Sequence, residues 1–420
     1  MINLLPNKTQ FDSYLTDIED KYQNQIKARE SMYKILRTMD FPTKKDEDWR
    51  FTDLAQLLKT EYQFSVDNSS DIPKKIIADK RIKNGIKIVL VNGKFQQQFS
   101  NNDTYSNILN ITNINENNVK LIDNSNPFLL MNGTFYNGGY QLDLKPNCSC
   151  EKPLHILNII SNDIENIQQH HLNNINIGTN SQITIFEEII YLNQTESFNN
   201  IVAEFQIKDN STVNYTLIQD YHPKVKQFNH HFVEQFENSN LNLQSINIGG
   251  NLVRNDFQVN LISKNCTANI AGLNLLTDKN HIENYLSVNH IKPNSNSKQF
   301  FKYILNKKSH GVFNGLVKVS PMAQKSDSQQ ANKNILLSKD ALMNANPQLQ
   351  IEADDVKCTH GSATGELDQD VIFYLRSRGI DLSSAKALLL TGFAKEILNK
   401  IPNKSIRDRL ITKLNNWLKQ

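Results

Sequence analysis

Between residues 180 and 270 the chain carries a spacing that few folds can use. Asn-Ser or Asn-Cys dipeptides stand at Asn180–Ser181, Asn210–Ser211, Asn238–Ser239 and Asn265–Cys266, with intervals of 30, 28 and 27 between the Asn residues. Three residues after each Asn comes Ile183, Val213, Leu241 or Ala268; five after comes Ile185, Tyr215, Leu243 or Ile270. Positions two apart on a strand share a face, so each turn leads into a strand with a matched inward pair. Asn suits the turn because it tolerates the left-handed backbone region and its amide satisfies local backbone groups. A repeat of this length in strand-like sequence indicates a solenoid whose coils stack on their neighbours. The competing explanation is coincidence in a chain rich in Asn. Asn294–Ser295 lacks the apolar pair, so the series is expected to fade there.

Strand texture begins near residue 85. In IKIVLVNGKF, Ile86, Ile88 and Leu90 fall on one face and Lys87, Val89 and Val91 on the other, and the Asn-Gly at 92–93 is a strong turn signal. Before this lies a helical region in which Phe11, Leu15, Ile18, Tyr22 and Ile26 recur at spacings of three and four. Pro42 ends that stretch, EDWRFTDL (47–54) starts a further short element, and the polar Asn68-Ser69-Ser70-Asp71 reads as linker. Helix returns after residue 366. Asp368 or Asp370 caps a segment in which Ile372, Phe373 and Leu375 supply surface to bury, and Gly379 fits its C-terminal cap. Ser383 or Ser384 is expected to cap the next helix, and Leu410, Leu414 and Trp417 form one stripe of the last.

Composition excludes several functions. Lys plus Arg number 46 against 43 Asp plus Glu, and the basic residues make only short pairs such as Lys44–Lys45 and Lys307–Lys308, so no nucleic-acid surface is expected. Apolar runs fall far short of the roughly 20 residues of a membrane span, and the N-terminus has no secretory or transit character. The expected location is the cytoplasm. Four cysteines (Cys148, Cys150, Cys266 and Cys358) make no disulfide framework and read as reduced thiols.

Catalytic motifs are missing. Gly138–Gly139 and Gly249–Gly250 precede no Lys-Ser/Thr at phosphate-loop spacing, and there is no Gly-x-Ser-x-Gly or His-Glu-x-x-His. Glu187–Glu188 lies in a strand that turns only one carboxylate inward, and it reads as surface charge. His170–His171 and His230–His231 point to opposite faces, so neither pair clamps one metal ion; they and His222 read as core or solvated imidazoles. The exception is Val356-Lys357-Cys358-Thr359-His360-Gly361. On a strand, Cys358 and His360 share a face about 7 Å apart, a soft thiolate and an imidazole suited to iron, zinc or a cluster. Two ligands need others from elsewhere, and plain packing at a domain seam remains the other reading.

The stretch DDVKCTHGSATGELDQDVIFYLRSRGI (354–380) resembles the C-terminal signature of the SufB/SufD family of iron–sulfur cluster assembly proteins. VFNGLVKVSPMAQKSDSQQANKNILLS (312–338) looks like its last β-helix coils, joined through PQLQI (347–351), and EDWRFTDL is similar to an element of the SufD branch. The resemblance implies a mainly β fold. A right-handed parallel β-helix would occupy residues 81–355, between an N-terminal helical region and linker (1–80) and a C-terminal helical domain (356–420). Asn332 stands where SufB-like chains carry a cysteine, which points to the SufD branch.

The resemblance further implies a non-catalytic scaffold that pairs edge to edge with a SufB-like subunit and docks two copies of a SufC-like ABC ATPase. A transient Fe–S cluster would be shared at the seam, with none held permanently by this chain alone. It makes His360 the cluster and metal ligand candidate, with Cys358 secondary, and homodimerisation is open to the isolated chain. For the ATPase contact the segment Phe373, Tyr374, Arg376, Arg378, Gly379 and Ile380 is favoured, although Phe373 and Tyr374 could equally fill the helical core. The alternative class is a β-helix carbohydrate-active enzyme or acyltransferase, which needs clustered carboxylates or hexapeptide periods; neither is evident.

Overall fold

A computed structural model describes residues 3–22, 25–64, 74–80, 82, 85–101, 107–114, 126–161 and 163–418. The expected linker sequence Asn68-Ser69-Ser70-Asp71 lies outside them. Each Asn of the repeat sits in the left-handed region, with φ of 54° at Asn180, 57° at Asn210, 56° at Asn238 and 60° at Asn265. The same geometry recurs one coil earlier at Asn147 (59°) and in later coils at Asn294 (61°) and Lys325 (59°), so the series does not fade. The turn amides also bond to one another. Asn180 Nδ2 donates to Asn147 Oδ1 at 2.8 Å, and Asn210, Asn238 and Asn265 each donate to the preceding Asn at 2.9 Å. The ladder fixes one coil over the next along the turn edge.

The coils make a β-solenoid of about 8 turns, whose strands alternate between two sheets. The first runs from Tyr140–Leu144 through Ile167–Ile177, Ser197–Ile207, Val225–Gln235, Leu252–Leu261, His281–His290 and His310–Val319 to Leu342–Ile351. The second runs from Ile86–Val91 through Leu154–Ile160, Gln182–Tyr191, Thr212–Tyr221, Asn240–Gly249, Thr267–Leu276, Asn296–Leu305 and Asp327–Leu336 to Lys357–Gly365. Between neighbouring coils the pairing is parallel. Inward residues of both sheets form the main core, including Ile183, Val213, Leu241 and Phe257. It is close-packed: a Cβ at Gly272 would fall 2.3 Å from the Phe301 ring one coil above. The expected boundary at residue 355 falls between the last two strands, and the β body continues to Gly365.

The two ends differ. At the N-terminal end the chain reverses. Asn92 (φ 48°) and Gly93 (φ 75°) turn Ile86–Val91 into the two-residue strand Lys94–Phe95, as a two-residue hairpin with both central φ positive requires. The five-residue Leu109–Asn113 likewise runs antiparallel to Tyr140–Leu144. Short edges of this kind offer little to a foreign strand. At the C-terminal end, the ten-residue Leu342–Ile351 and the nine-residue Lys357–Gly365 each have a strand on one side only. Pro347, in the first of these, is confined to edge strands because it lacks an N–H.

Helices cover the outer faces. On the first sheet, Trp49 and Phe128 pack against Phe198 and Phe228. The Arg254 guanidinium lies 3.8 Å from the centre of the Trp49 ring, donates to the Asp48 carbonyl at 2.8 Å and pairs with Glu283 at 2.6 Å. The EDWRFTDL segment thus anchors the N-terminal layer. Over the second sheet, Ile406, Leu410, Leu414 and Trp417 of the last helix join Phe186, Ile218 and Ile246 in one cluster. Asp368 caps the helix Gln369–Ser377, and Gly379 follows it at φ 85°. Asp381, not Ser383 or Ser384, caps Leu382–Leu398: its carboxylate accepts from Ser384 N–H at 3.0 Å, and the helix starts two residues earlier than a Ser383 cap would allow. Among the described residues no helix is long and apolar enough to cross a membrane.

Glu187 and Glu188 are not surface charge. Glu187 points into the core, where the hydroxyls of Tyr140 and Tyr215 both donate to it at 2.9 Å. Glu188 faces the helical layer and is only 1% exposed. There it meets Arg409 of the last helix, Lys80 at 3.1 Å and His155 Nε2 at 3.0 Å. Burial alone would raise the Glu188 pKa, but the His155 hydrogen bond and the Lys80 and Arg409 charges outweigh it and hold the carboxyl at about 2. This clamp joins helical layer to sheet. A depressed carboxyl stabilises the fold above its ordinary pKa near 4.5, and that contribution is lost as pH falls toward 2. Glu188→Gln is therefore expected to melt well below the parent at pH 7, a deficit of about 3 kcal/mol at 1.36 kcal/mol per pKa unit. Scanning calorimetry from neutral to acid pH should show the gap closing below about pH 4.5.

Candidate functional site at the open end of the solenoid

The inward positions of successive coils stack into columns. The position three residues after the turn reads Ile183, Val213, Leu241, Ala268, Ser297, Ser328, Cys358. The position five after reads Ile185, Tyr215, Leu243, Ile270, Gln299, Gln330, His360. Cys358 and His360 are thus the last members of two columns that turn from apolar to polar three coils from the end. On the neighbouring column Asn332 lies one coil below Ser362.

At the mouth, Cys358, His360, Ser362 and Thr364 line one wall. Met343, Ala345, Pro347 and Leu349, in register over Gly311, Phe313, Gly315 and Val317, line the other. His360 is exposed and Cys358 half-buried beside Leu349 and Val317. Burial pushes the Cys358 thiol above its ordinary value near 9, against a backbone hydrogen bond from Ser328. Below the mouth the polar side chains are linked. His290 Nε2 meets Ser297 Oγ at 2.9 Å, and Ser297 Oγ meets Ser328 Oγ at 2.9 Å. Gln330 Nε2 donates to Gln299 Oε1 at 2.7 Å. Asn334 donates to Asn332 at 2.6 Å and Thr364 at 3.0 Å, and Ser362 donates to Asn332 at 3.2 Å.

Among the described residues no group of three or more His, Cys, Asp or Glu is arranged to hold a metal ion. Cys358 and His360 offer two donors where a cluster or tetrahedral metal takes four. The histidine pairs are core residues. His230 Nδ1 sits 3.0 Å from Asp256, and His231 stacks on Phe257 with ring centres 4.9 Å apart. His170 and His171 are both buried, and His222 is half-buried. All four cysteines are free thiols.

The helix Gln369–Ser377 buries Ile372 alone. Phe373, expected to be buried, is 75% exposed and Tyr374 56% exposed. Arg376, Arg378 and Gly379 are exposed around them and Ile380 is half-buried. A phase error of one residue explains the difference: Ile372 joins the buried cluster, and its neighbour, about 100° round the helix, does not.

Sequence reasoning missed Ser297, Ser328, Gln299 and Gln330. The signal was the Asn294 turn itself. Its pair is polar, and continuing the count by 31 to Lys325 and 30 to Asp355 lands the same two positions on Cys358 and His360.

Residues 159–393 match the family model described as SUF system FeS cluster assembly, SufBD core domain. The chain is 26% identical to the iron–sulfur cluster assembly protein SufD of Escherichia coli, over 92% of this chain and 91% of that one. It is 28% identical to an iron–sulfur cluster assembly SufBD family protein of Synechocystis, over 92% and 89%. To the chloroplastic protein ABCI7 of Arabidopsis thaliana it is 25% identical, over 91% and 84%.

The burial of the thiols sets their reactivity. Alkylation followed by peptide mass spectrometry is expected to modify half-buried Cys148 and Cys358 well before buried Cys150 and Cys266. Modification of Cys358 should accelerate past pH 9 as its thiolate forms.

Proposed function

Because the chain belongs to the SufBD core family of SUF iron–sulfur cluster assembly proteins, we propose that it is a non-catalytic, SufD-type scaffold subunit whose open end is completed by a SufB-like partner. One observation carries this reading: two long unpaired strands flank a mouth where both polar columns end, in a thiol and an imidazole. Unpaired backbone groups favour addition of a strand from a second chain. The partner's strands extend the two sheets, and its side chains supply the donors that Cys358 and His360 lack. The nascent Fe–S cluster is cargo held at this seam. With Asn332 one coil down in place of a thiol, the sulfur-accepting thiolate comes from the partner. An isolated chain would pair through the same edge with a second copy.

The ATPase partner, SufC-like, docks on the exposed face of Gln369–Ser377 and the turn after it. Phe373 and Tyr374 supply apolar contact there, and Arg376 and Arg378 a polar rim around Gly379 and Ile380. The helical layer is tied to the second sheet by Glu188–Arg409, by Asp220–Lys413 and by Lys302–Glu396 at 2.7 Å. A pull on this layer therefore loads the sheet that ends in His360. ATP-driven closure of two SufC copies opens the seam for assembly or release, in the cytoplasm. ATP turnover belongs to that partner. The carbohydrate-active or acyltransferase alternative gains nothing from a body whose inward carboxylate, Glu187, is sealed between two tyrosines.

His360→Ala is expected to leave the three-component complex intact by intact-mass measurement. Anaerobic reconstitution should then lose cluster, read as iron and sulfide per complex; normal loading would remove the ligand role. Charge reversal at both Arg376 and Arg378 should reduce SufC capture in a pull-down at least tenfold while SufB capture persists.

A further inference from the structure

Four polar atoms inside the last coils have no hydrogen-bond partner: His290 Nδ1, Gln299 Nε2, Gln330 Oε1 and Asn334 Oδ1. All four side chains are at least nine-tenths buried. Orphaned buried groups are costly, and these four lie under the end of the solenoid that a partner would close. Gln330 stands out among them. It is 3% exposed and lies directly beneath His360 in register on the same inward face, about one strand spacing of 4.8 Å away. Its Nε2 is committed downward to Gln299 Oε1 at 2.7 Å, which leaves Oε1 as a free acceptor. The opposite wall makes room for this amide. A Cβ at Gly315 would fall 2.1 Å from Gln330 Nε2, so only glycine there lets the side chain lie across the lumen.

Resting on the function proposed above, we propose that Gln330 is a positioning residue for His360, its Oε1 accepting the ring N–H and so turning the other, unprotonated nitrogen to the seam. A histidine that ligates metal through one nitrogen is oriented by the hydrogen bond its other nitrogen donates. An acceptor facing one ring nitrogen selects the tautomer, because only the protonated nitrogen can donate to it. The bond from Gln330 Nε2 to Gln299 Oε1 leaves the Gln330 oxygen as the amide atom available to the coil above. Gly315 sets the reach, and the pair of glutamines continues the column as a support for its last member. Gln330 touches no cargo in this arrangement and acts through His360 alone.

The test uses the full chain with 15N-labelled histidine, the His360 signals being identified by their disappearance in His360→Ala. At a pH where the ring is neutral, long-range 1H–15N spectra report which nitrogen carries the proton. One tautomer is expected to dominate in the parent. Gln330→Leu should shift the ratio toward that of free imidazole, and Gln330→Glu, which keeps an acceptor oxygen, should retain the bias. If Gln330→Leu does not fold, Gly315→Ala, which displaces the amide from the other wall, serves the same purpose. In the complex with SufB and SufC, Gln330→Leu should weaken iron retention about tenfold, the lower end of what loss of such an orienting partner costs.

An unchanged tautomer ratio in a folded Gln330→Leu or Gly315→Ala overturns the proposal, as does a parent ratio already equal to that of free imidazole. Its failure is distinguishable from failure of the function itself. If His360→Ala abolishes cluster loading while Gln330→Leu alters neither tautomer nor iron, only the positioning role falls. If Gln330→Leu shifts the tautomer while His360→Ala loads normally, only the ligand role falls.

Discussion

The structure depends on the parallel hydrogen bonding of one coil to the next. Strands inside the stack have their backbone groups satisfied by the coil below and the coil above, and a buried unpaired group would cost as much as a lost hydrogen bond. Stacking can continue indefinitely but cannot stop without leaving a row unpaired. At the N-terminal end the chain ends the stack by reversing direction through Asn92–Gly93 into a two-residue strand. At the other end nothing reverses: two full-length strands, Leu342–Ile351 and Lys357–Gly365, are left open. The asymmetry makes one end a foundation and the other a joint.

The same stacking explains why the interior changes character. In a column each side chain packs on those directly above and below, so a polar residue is tolerated only where its neighbours can bond to it. Ile185, Tyr215, Leu243 and Ile270 build an apolar pillar, and Gln299, Gln330 and His360 finish it in polar material. The polar section gives up hydrophobic stabilisation over three coils. Part of the lumen stays apolar even there: Phe301 and Tyr303 share a strand with Ser297 and Gln299, and Asn255, Asn274 and Asn284 satisfy one another in a chain that ends on the Tyr303 hydroxyl.

Much of this was legible in the sequence, and the failures have physical causes. The repeat was readable because a left-handed turn restricts residue choice so strongly that Asn recurs at it. The hairpin was readable because Asn-Gly fits its geometry better than other pairs. Cys358 and His360 stood out as donors on one face. Ser297 and Gln299 did not, because they were judged by hydrophobicity when position in the column was the informative property. Glu187 and Glu188 misled for a related reason. In a solenoid with helices on its outer faces both sides of a strand are buried, so alternation no longer separates inside from outside. Phe373 misled because composition alone cannot give the phase of a nine-residue helix; Ile372 is the side chain that joins the buried cluster of the helical layer, and only its tertiary packing decides that.

The Asn ladder has a consequence for how such a chain can vary in length. A segment of one complete turn, such as the 28 residues from Asn210 to Glu237, can in principle be gained or lost with the ladder of turn amides preserved, because each rung replaces the one before it. The separation between the anchored helical layers and the mouth then changes only in steps of about 4.8 Å, the spacing of neighbouring strands. A change of one residue within a strand has no such solution, since it would turn every later side chain of that strand to the opposite face; the unequal intervals of 28 and 27 show that the turns take up single-residue differences. The body behaves as a ruler with fixed graduations, on which the distance from its closed end to its mouth is quantised.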